Sequence, residues 1–236
     1  MKLDVFSRIQ AARRDKVSVA LLVPLDGGEQ ALVYHDAIVG EAPEELVESA
    51  RARLRDNKSG VEEVDGKCWF VDCHNPPLRL IIVGAVHISQ TLVPMAAVAG
   101  YETIVIDPRA SFATQERFPN VTLMDDWPDE AMEELAPDAR TAVVTLTHDP
   151  KLDDPALEVA LKSDAFYIAC LGSRRTHAKR CERLTALGFG EPDLARIHGP
   201  AGLDIGAVSP AEIALSVLAE LTAVLHEKPI AKKQAA

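Results

Sequence analysis

The stretch LRLIIVGAVHISQTL (residues 78–92), followed by YETIVIDPR (residues 101–109), decides the fold of this chain. A short apolar strand runs into a turn at Gly84 and then a helix, and a second strand ends in the acidic residue Asp107. This order predicts the opening β-α-β unit of a dinucleotide-binding domain, whose glycine-rich turn accommodates a pyrophosphate. The pattern G-x-G-x-x-G that begins at Gly84 has its second and third glycines where this chain has Val86 and Ser89.

The departure at Val86 is expected to weaken phosphate binding at the turn. Its two methyl groups stand where the phosphates would lie, and a left-handed backbone there would add strain of about 1–2 kcal/mol. A helix N-terminus contributes only about 0.3–2 kcal/mol to holding an anion. The sequence therefore leaves two possibilities open, a bound dinucleotide or a Rossmann-like domain that holds none tightly.

Apolar strands alternate with helices over residues 76–229, a pattern typical of a parallel sheet with both faces covered. Residues 1–75 predict a small α/β domain, and the prolines at 76 and 77 mark a linker because they exclude helix and central strand. Residues 230–236 are expected to form a flexible tail. The predicted fold class is α/β, a Rossmann-like parallel sheet preceded by a small N-terminal domain.

The composition excludes several classes of protein. A hydrophobic share of 47% and a charged share of 26% over 236 residues are ordinary for a soluble globular protein. The net charge of −11 argues against a nucleic-acid partner. No stretch approaches the roughly 20 apolar residues of a membrane helix, and the N-terminus lacks a signal-peptide core. A cytoplasmic location without disulfides is expected, with Cys170 and Cys181 as packing residues.

Polar residues follow four of the predicted strands at their carboxyl ends, where ligands of open α/β sheets bind. These candidate cofactor-binding residues are Gly84, Ala85, Val86 and His87; Asp107 and Arg109; Thr147, His148 and Asp149; and Gly172, Ser173 and Arg174.

Each acidic, basic or imidazole side chain in this set has a functional and a structural interpretation. Asp107 is suited to ribose hydroxyls and Arg109 to a phosphate, but the two also fit a mutual ion pair at the surface. His87 and His148 are the histidines best placed for proton transfer, and capping or core roles fit them equally well.

Ser173 and Arg174 form a plausible anion site after a strand, whereas Arg175 and Arg180 fit a solvated helix face. A metal at His148 is not expected, because no ligand set at a fixed metal-site spacing supports one. No Ser/His/Asp spacing indicates nucleophilic catalysis, so no catalytic residue is predicted.

Five ordered segments resemble the C-terminal Rossmann domain of the XdhC/CoxI family, the xanthine dehydrogenase accessory proteins or molybdenum-cofactor insertion chaperones. They are VGAVHISQTL, VIDPRASFATQERFP, LTHDPKLDDPAL, YIACLGSRRTHAKRCERL and GPAGLDIGAVSPAEIALSVLAEL. The resemblance runs from about residue 76 to residue 227, and the run GLDIG at residues 202–206 is its most specific part.

The resemblance implies a non-catalytic accessory protein that binds the molybdenum cofactor (molybdopterin, a pterin carrying a phosphate) transiently. Such proteins help to keep the cofactor sulfurated and hand it to a molybdenum hydroxylase of the xanthine dehydrogenase or CO dehydrogenase type. The partners implied are the molybdenum hydroxylase itself, a cysteine desulfurase or a separate chain with a CoxI domain, and further copies in a homo-oligomer. Two alternatives stay open: an NAD(P)-dependent oxidoreductase, and a regulatory scaffold whose nucleotide site has decayed.

The chain departs from the family at several positions. Family sequences typically read Gly-Ala-Gly-His where Val86 stands third, and Thr-His-Asp-His where Pro150 stands last. Their N-terminal domain carries a Gly-rich loop and a Cys-Gly-Gly segment, both lacking in residues 1–75, which resemble a small degenerate CoxI-like domain. Cys68, beside Trp69 in a predicted strand, is the remaining candidate for a sulfur role.

Overall fold

The computed structural model of the chain describes residues 3–226. The backbone separates into two compact units, Met1–Pro76 and Pro77–Ala236, with the break between the two consecutive prolines. The tail expected at residues 230–236 lies outside the described residues. Within residues 3–226, no helix is both long and apolar enough to cross a membrane.

The first unit is an antiparallel sheet with helices packed on its two faces. Its elements are α1 (Leu3–Arg14), β1 (Val19–Pro24), β2 (Ala31–Val33), β3 (Ile38–Val39), α2 (Glu44–Asp56), β4 (Gly60–Val64) and β5 (Lys67–His74). The strands lie in the order β3-β2-β1-β5-β4. Because side chains alternate along a strand, Ala20 and Leu22 of β1 pack against α2, and Val19 and Leu21 pack against α1.

Strands β3 and β4 were not expected from the sequence. Strand β3 consists of two exposed residues, and β4 reads Gly-Val-Glu-Glu-Val, which lacks the apolar run that marks β1. Both are outer strands of the sheet, so pairing with a neighbour rather than burial accounts for them.

The second unit is a parallel sheet with helices on both faces, as the sequence predicts. Its elements are β6 (Leu78–Val83), α3 (His87–Val98), β7 (Tyr101–Ile106), β8 (Thr122–Met124), α4 (Pro128–Leu135), β9 (Thr141–Thr145), α5 (Pro150–Lys162), β10 (Tyr167–Cys170), α6 (Arg174–Ala186), α7 (Glu191–Leu194), β11 (Ile197–His198) and α8 (Pro210–Leu225). All of its strand pairs are parallel.

The strand order β11-β10-β9-β6-β7-β8 confirms the Rossmann-like prediction. The chain steps outward from β6 through β7 to β8, then returns to β9 on the other side of β6 and continues outward to β11. The order of the strands therefore reverses between β6 and β9. In open α/β sheets the crevice at the carboxyl ends of the strands on either side of this switch point is where ligands bind.

Strand β6 is buried on both faces, which explains its unbroken apolar sequence. Leu80 and Ile82 pack with the buried face of α3 and α8, and Ile81 and Val83 pack with α4 and α5. All four side chains are fully buried. Burying one such side chain stabilises the fold by about 1.5–3 kcal/mol, so the two faces of this one strand anchor both helical layers.

Helix α5 begins five residues earlier than its sequence suggests. The segment PALEVALKS (residues 155–163) predicts a helix that starts at Pro155, but the helix begins at Pro150. Asp149 caps it, because its Oδ1 accepts a 3.0 Å hydrogen bond from the N–H of Lys151. A proline is well tolerated at the first helical position, where its missing N–H has no role. As a result Asp153 and Asp154 are buried on a helix and not exposed in a loop.

Candidate functional site

The four polar clusters converge at the carboxyl edge of the parallel sheet. The N–H of Gly84 donates to the carbonyl of Ile106 at 2.8 Å, which joins the end of β6 to the end of β7. On the other side the N–H of Leu146 donates to the carbonyl of Val83 at 2.9 Å. The N–H of Leu171 then donates to the carbonyl of Thr145 at 2.9 Å, which brings in the end of β10. The predicted site residues therefore follow adjacent strands.

Gly84 is required by the close approach of the segment that follows β9. Its φ of +114° favours glycine, and a Cβ at this position would lie 2.8 Å from Cγ2 of Thr147. A side chain here would push the turn after β6 away from the segment after β9. These two strands lie on either side of the switch point.

Asp107 is fully buried behind the turn, and its carboxylate accepts four hydrogen bonds from within the protein. Its Oδ2 accepts from the N–H of Ala85 at 2.8 Å and from Nη2 of Arg109 at 2.7 Å. Its Oδ1 accepts from the backbone N–H of Arg109 at 3.0 Å and from Nε of Arg109 at 2.8 Å. A carboxylate offers about four acceptor positions, so this one is fully used.

The ion pair of Asp107 with Arg109 is therefore present, but its acid is buried and not at the surface. Burial by itself raises the pKa of Asp107. The hydrogen bonds from Arg109 and from the N–H of Ala85 outweigh that effect, so the pKa lies below its usual value. A ribose hydroxyl would have to displace one of these bonds, and the ribose role expected for Asp107 remains a prediction.

Val86 is not strained. Its φ of −99° and ψ of 178° are extended, so this valine does not have the left-handed conformation that would strain it. The conformation that disfavours side chains falls on Gly84 instead. The half-buried side chain of Val86 packs against the core between the sheet and helices α3 and α8.

Ser89 has a structural role that the sequence did not reveal. The side chain is fully buried, its hydroxyl donates to the carbonyl of Gly84, and its Oγ accepts from the N–H of Val86 at 3.3 Å. The sequence identified this position only as one that lacks the expected glycine. Together with the Ala85 bond to Asp107, this leaves two N–H groups of the turn engaged inside the protein.

His87 and His148 are both exposed at the carboxyl edge. His87 opens helix α3, and His148 has a φ of +63°, in the left-handed region. A residue other than glycine held there costs of order 1–3 kcal/mol. Thr147 fixes the segment beside His148, since its Oγ1 donates to Oδ1 of Asp153 at 2.7 Å and accepts from the N–H of Asp149 at 3.0 Å. In residues 3–226 no cluster of His, Cys, Asp or Glu is arranged to hold a metal.

The last predicted cluster lies at the start of α6. Ser173 caps this helix, because its Oγ accepts from the N–H of Thr176 at 3.2 Å. Ser173 and Arg174 are exposed. Arg180 is different: the sequence suggested a solvated helix face, but its side chain is only 2% exposed, so that interpretation is wrong.

A cavity of about 290 Å³ lies between α6 and the start of α5. From α6 it is lined by Arg175, Thr176, Lys179, Arg180 and Arg183. From the segment that opens α5 it is lined by His148, Pro150 and Asp153. A pattern was present in the sequence, because Arg175, Lys179 and Arg183 recur at four-residue spacing and so share one face of a helix.

Arg180 and Asp153 are only partly paired in this cavity. Nη2 of Arg180 donates to the carbonyl of Leu171 at 3.1 Å and lies 3.7 Å from Oδ2 of Asp153, which is too long for a hydrogen bond. Among the described residues, Nε and Nη1 of Arg180 and Oδ2 of Asp153 have no hydrogen-bond partner although they are buried. Each such group costs about 1–3 kcal/mol. Burial raises the pKa of Asp153 despite the bonds from Thr147 and the charge of Arg180.

The cysteines differ in their surroundings. Cys170 lies in the core as predicted, accepts a hydrogen bond from Oγ1 of Thr145 at 3.0 Å, and has its pKa raised by burial to about 12. Cys181 is partly buried, and desolvation raises its pKa as well. Cys68 is half-buried on β5 opposite Glu63, and its sulfur role remains a prediction.

The GLDIG run (residues 202–206) is joined to strand β10 through Glu220 of helix α8. The buried carboxylate of Glu220 accepts hydrogen bonds from the hydroxyl of Tyr167 at 2.6 Å and from the N–H of Gly202 at 2.8 Å. Gly202 has a φ of +87°, and a Cβ there would lie 2.3 Å from Oγ of Ser216. This part of the sequence therefore holds the loop before α8 against the sheet, and its role is structural.

Comparison with known proteins gives a family and three relatives. Residues 80–221 match the family described as the XdhC Rossmann domain. The Escherichia coli (strain K12) protein YqeB is 27% identical over 223 residues, covering 90% of this chain and 41% of that protein. The molybdenum cofactor insertion chaperone PaoD of the same strain is 32% identical, covering 65% of this chain and 42% of PaoD. A Bacillus subtilis (strain 168) protein, named as a probable xanthine dehydrogenase subunit, is 33% identical, covering 64% of this chain and 44% of that protein.

These curated relatives are longer proteins, and this chain spans less than half the length of each. The crystal structure of a xanthine dehydrogenase from Bacillus halodurans superimposes with a TM-score of 0.71 at 24% identity, over 95% of this chain and 67% of that one. That likeness supports the fold. The family match covers more than half of the chain and includes the entire switch-point edge. On this basis the chain belongs to the XdhC family, whose Rossmann domain it carries at residues 80–221.

Proposed function

We propose that this chain is a non-catalytic accessory protein for maturation of a molybdenum hydroxylase of the xanthine dehydrogenase or CO dehydrogenase type. It binds the molybdenum cofactor at the carboxyl edge of the parallel sheet and delivers it to the enzyme. The observation that carries the proposal is the family match over residues 80–221. The relatives named as a cofactor insertion chaperone and as part of a probable xanthine dehydrogenase support it.

The residues at the edge fit a pterin that carries a phosphate. Arg180 presents a buried guanidinium with two unpartnered N–H groups beside a cavity, and Arg175 and Lys179 line the same cavity. A guanidinium is suited to phosphate because its planar fork of donors matches two phosphate oxygens. When bound, the cofactor supplies the metal centre that the client enzyme uses. The proposed task of the chain's own residues is to hold the phosphate and to orient the pterin against the edge.

The β6 turn supports a ligand other than a tightly held dinucleotide. The N–H of Ala85 donates to Asp107, and the N–H of Val86 donates to Ser89. In a dinucleotide-binding turn, such groups face the pyrophosphate. A phosphate held by these two N–H groups would have to break their bonds first, which disfavours an NAD(P)-dependent oxidoreductase relative to a cofactor chaperone.

The proposed partners are the molybdenum hydroxylase subunit, together with a cysteine desulfurase or a separate chain that carries a CoxI domain. A separate chain is included because residues 1–75 lack the Gly-rich loop and the Cys-Gly-Gly segment of the family. A homo-oligomer and a cytoplasmic location also form part of the proposal.

The test is co-expression of this chain with a molybdenum hydroxylase in cells that make the cofactor, followed by affinity capture of the chain. We expect the hydroxylase in the eluate, together with a pterin that fluoresces after oxidation. The control is the same capture from cells unable to make the pterin. Absence of both the hydroxylase and the pterin would contradict the proposal, and calorimetric binding of NADH with substrate turnover would favour the oxidoreductase.

A further inference from the structure

We infer that the cavity between α5 and α6 binds a phosphate monoester group, with Arg180 as its central ligand, and that this cavity, not the Gly84 turn, receives the anionic end of the bound molecule. The inference rests on the proposed function only for the identity of the rest of that molecule. The phosphate site itself follows from the residues that line the cavity and from the unpartnered N–H groups of Arg180.

Arg180 is buried but only partly hydrogen-bonded. Its side chain is 2% exposed, yet only Nη2 makes a hydrogen bond, to the carbonyl of Leu171. Nε and Nη1 have no partner among the described residues. Buried polar groups in native proteins are almost always satisfied by protein, water or ligand. A guanidinium left with spare donors on the wall of a cavity is therefore a ready ligand for an oxyanion.

The wall of the cavity is mostly basic. Arg175 and Lys179 line the cavity from α6, and their side chains make no hydrogen bond or ion pair within residues 3–226. Arg183 also lines it but is held by Asp154, with Nη2 2.9 Å from Oδ1. The titratable groups facing Arg180 from α5 and its approach are Asp153 and His148. Four basic side chains thus line the cavity with one carboxylate, Asp153, and three of the four are not held by Asp154, in a chain whose net charge is −11.

Two N–H groups of the Gly84 turn are already engaged. The N–H groups of Ala85 and Val86 donate inside the protein, to Asp107 and Ser89. The basic side chains of α6 face the cavity instead. Of the Gly84 turn and the cavity, the cavity is the one lined by basic side chains, among them a buried guanidinium with unpartnered N–H groups.

The size of the cavity defines what it takes. Its 290 Å³ lie at the lower limit of small-molecule sites, which are roughly 300–1,000 Å³. It holds a phosphate group with a short linker, so the remainder of the ligand lies along the carboxyl edge toward Thr147 and Gly84. Either a pterin phosphate or a nucleoside monophosphate carries such a group.

The test is isothermal titration calorimetry of the full chain with inorganic phosphate, a pterin monophosphate and AMP. The first variant is Arg175→Gln with Lys179→Gln, whose exposed positions leave the core intact. The second is Arg180→Lys, which keeps the charge next to Asp153 but removes the fork. The matched control, Arg55→Gln with Lys58→Gln, removes two exposed charges that do not line the cavity.

We expect each cavity variant to weaken inorganic phosphate binding by about tenfold, the effect of losing one charge-assisted hydrogen bond, while the control binds as the wild type does. Tighter binding of the pterin phosphate than of AMP supports a pterin ligand, and the reverse order supports a nucleotide in the same cavity. Wild-type affinity in both cavity variants, or no phosphate binding by the wild type, overturns the inference. Pterin that still co-purifies in that case would leave the proposed function standing, so the two fail separately.

Discussion

The carboxylate of Asp107 and the backbone N–H of Ala85, twenty-two residues apart, are joined by a 2.8 Å hydrogen bond. This bond links the end of β7 to the turn after β6, and it is buried. It places a negative charge behind the turn, at a position where dinucleotide-binding domains use an acid to hold ribose. In this chain the same acid stabilises the turn and holds Arg109.

Asp107→Asn is expected to lower the free energy of unfolding by about 2 kcal/mol, since charge-assisted bonds become neutral ones and one donor loses its acceptor. Arg109→Gln is the control, and its effect should be smaller because the Arg109 side chain is 39% exposed. Urea unfolding of the two variants measures both values. Equal losses would show that the bond to the turn contributes little.

Val86→Gly is expected not to create dinucleotide binding. The glycine removes two methyl groups, but the N–H groups of Ala85 and Val86 stay bonded to Asp107 and Ser89. Calorimetry with NADH and NADPH checks this, with Val86→Ala as the control that keeps a Cβ. Sub-millimolar binding by the glycine variant alone would show that the valine side chain had been the obstacle.

The stability of the chain should fall in acid. The pKa values of Asp107 and Glu220 lie below their ordinary values of 3.8 and 4.5. Burial raises both pKa values, but hydrogen bonds to the carboxylates outweigh it. Asp107 accepts them from Arg109 and Ala85, and Glu220 accepts them from His198, Tyr167 and Gly202. The unfolded chain therefore takes up these protons at higher pH than the folded chain does. Their contribution is present above the ordinary values and is lost as the pH falls through the lower folded ones.

Unfolding free energies measured between about pH 2 and pH 5 test this, because a pKa difference between folded and unfolded chains sets the slope. Asp107→Asn should show a shallower loss in acid than the wild type. The raised pKa of Asp153 acts in the opposite direction, since its protonation favours the folded chain. An acid slope unchanged by Asp107→Asn would contradict the buried bond to the turn.

Asp153→Asn is expected to strengthen binding of inorganic phosphate by about three- to tenfold, because it removes the one carboxylate that faces Arg180 in the cavity. The amide oxygen can still accept from Thr147, so the start of α5 should keep its structure. Asp164→Asn is a suitable comparison, as it changes an exposed acid after the end of α5 that does not line the cavity. Weaker binding by Asp153→Asn would mean that the carboxyl group itself contacts the phosphate.

Sequence reasoning recovered the parallel sheet because its strands are apolar on both faces, as in the run from Leu80 to Val83. It also placed the predicted polar clusters at one edge, since consecutive parallel strands end together. It missed the burial of Arg180 because that burial depends on α5 packing beside α6, which brings Asp153 close to Arg180. It missed the internal bonds of Ser89 because they depend on the exact conformation of the Gly84 turn, although Gly84 and Val86 are near in sequence. The predicted start of helix α5 at Pro155 is wrong because Asp149 and Pro150 form the stronger start signal.

The most direct test of cofactor binding at this edge is the pterin content of the purified chain, produced in cells that make the molybdenum cofactor. Wild-type protein, the variant Arg175→Gln with Lys179→Gln and the control Arg55→Gln with Lys58→Gln are compared per mole of chain. We expect pterin in the wild type and the control, and a loss of most of the pterin in the cavity variant. A wild type that carries no pterin, under conditions in which the hydroxylase in the same cells is loaded, would contradict cofactor binding at this edge.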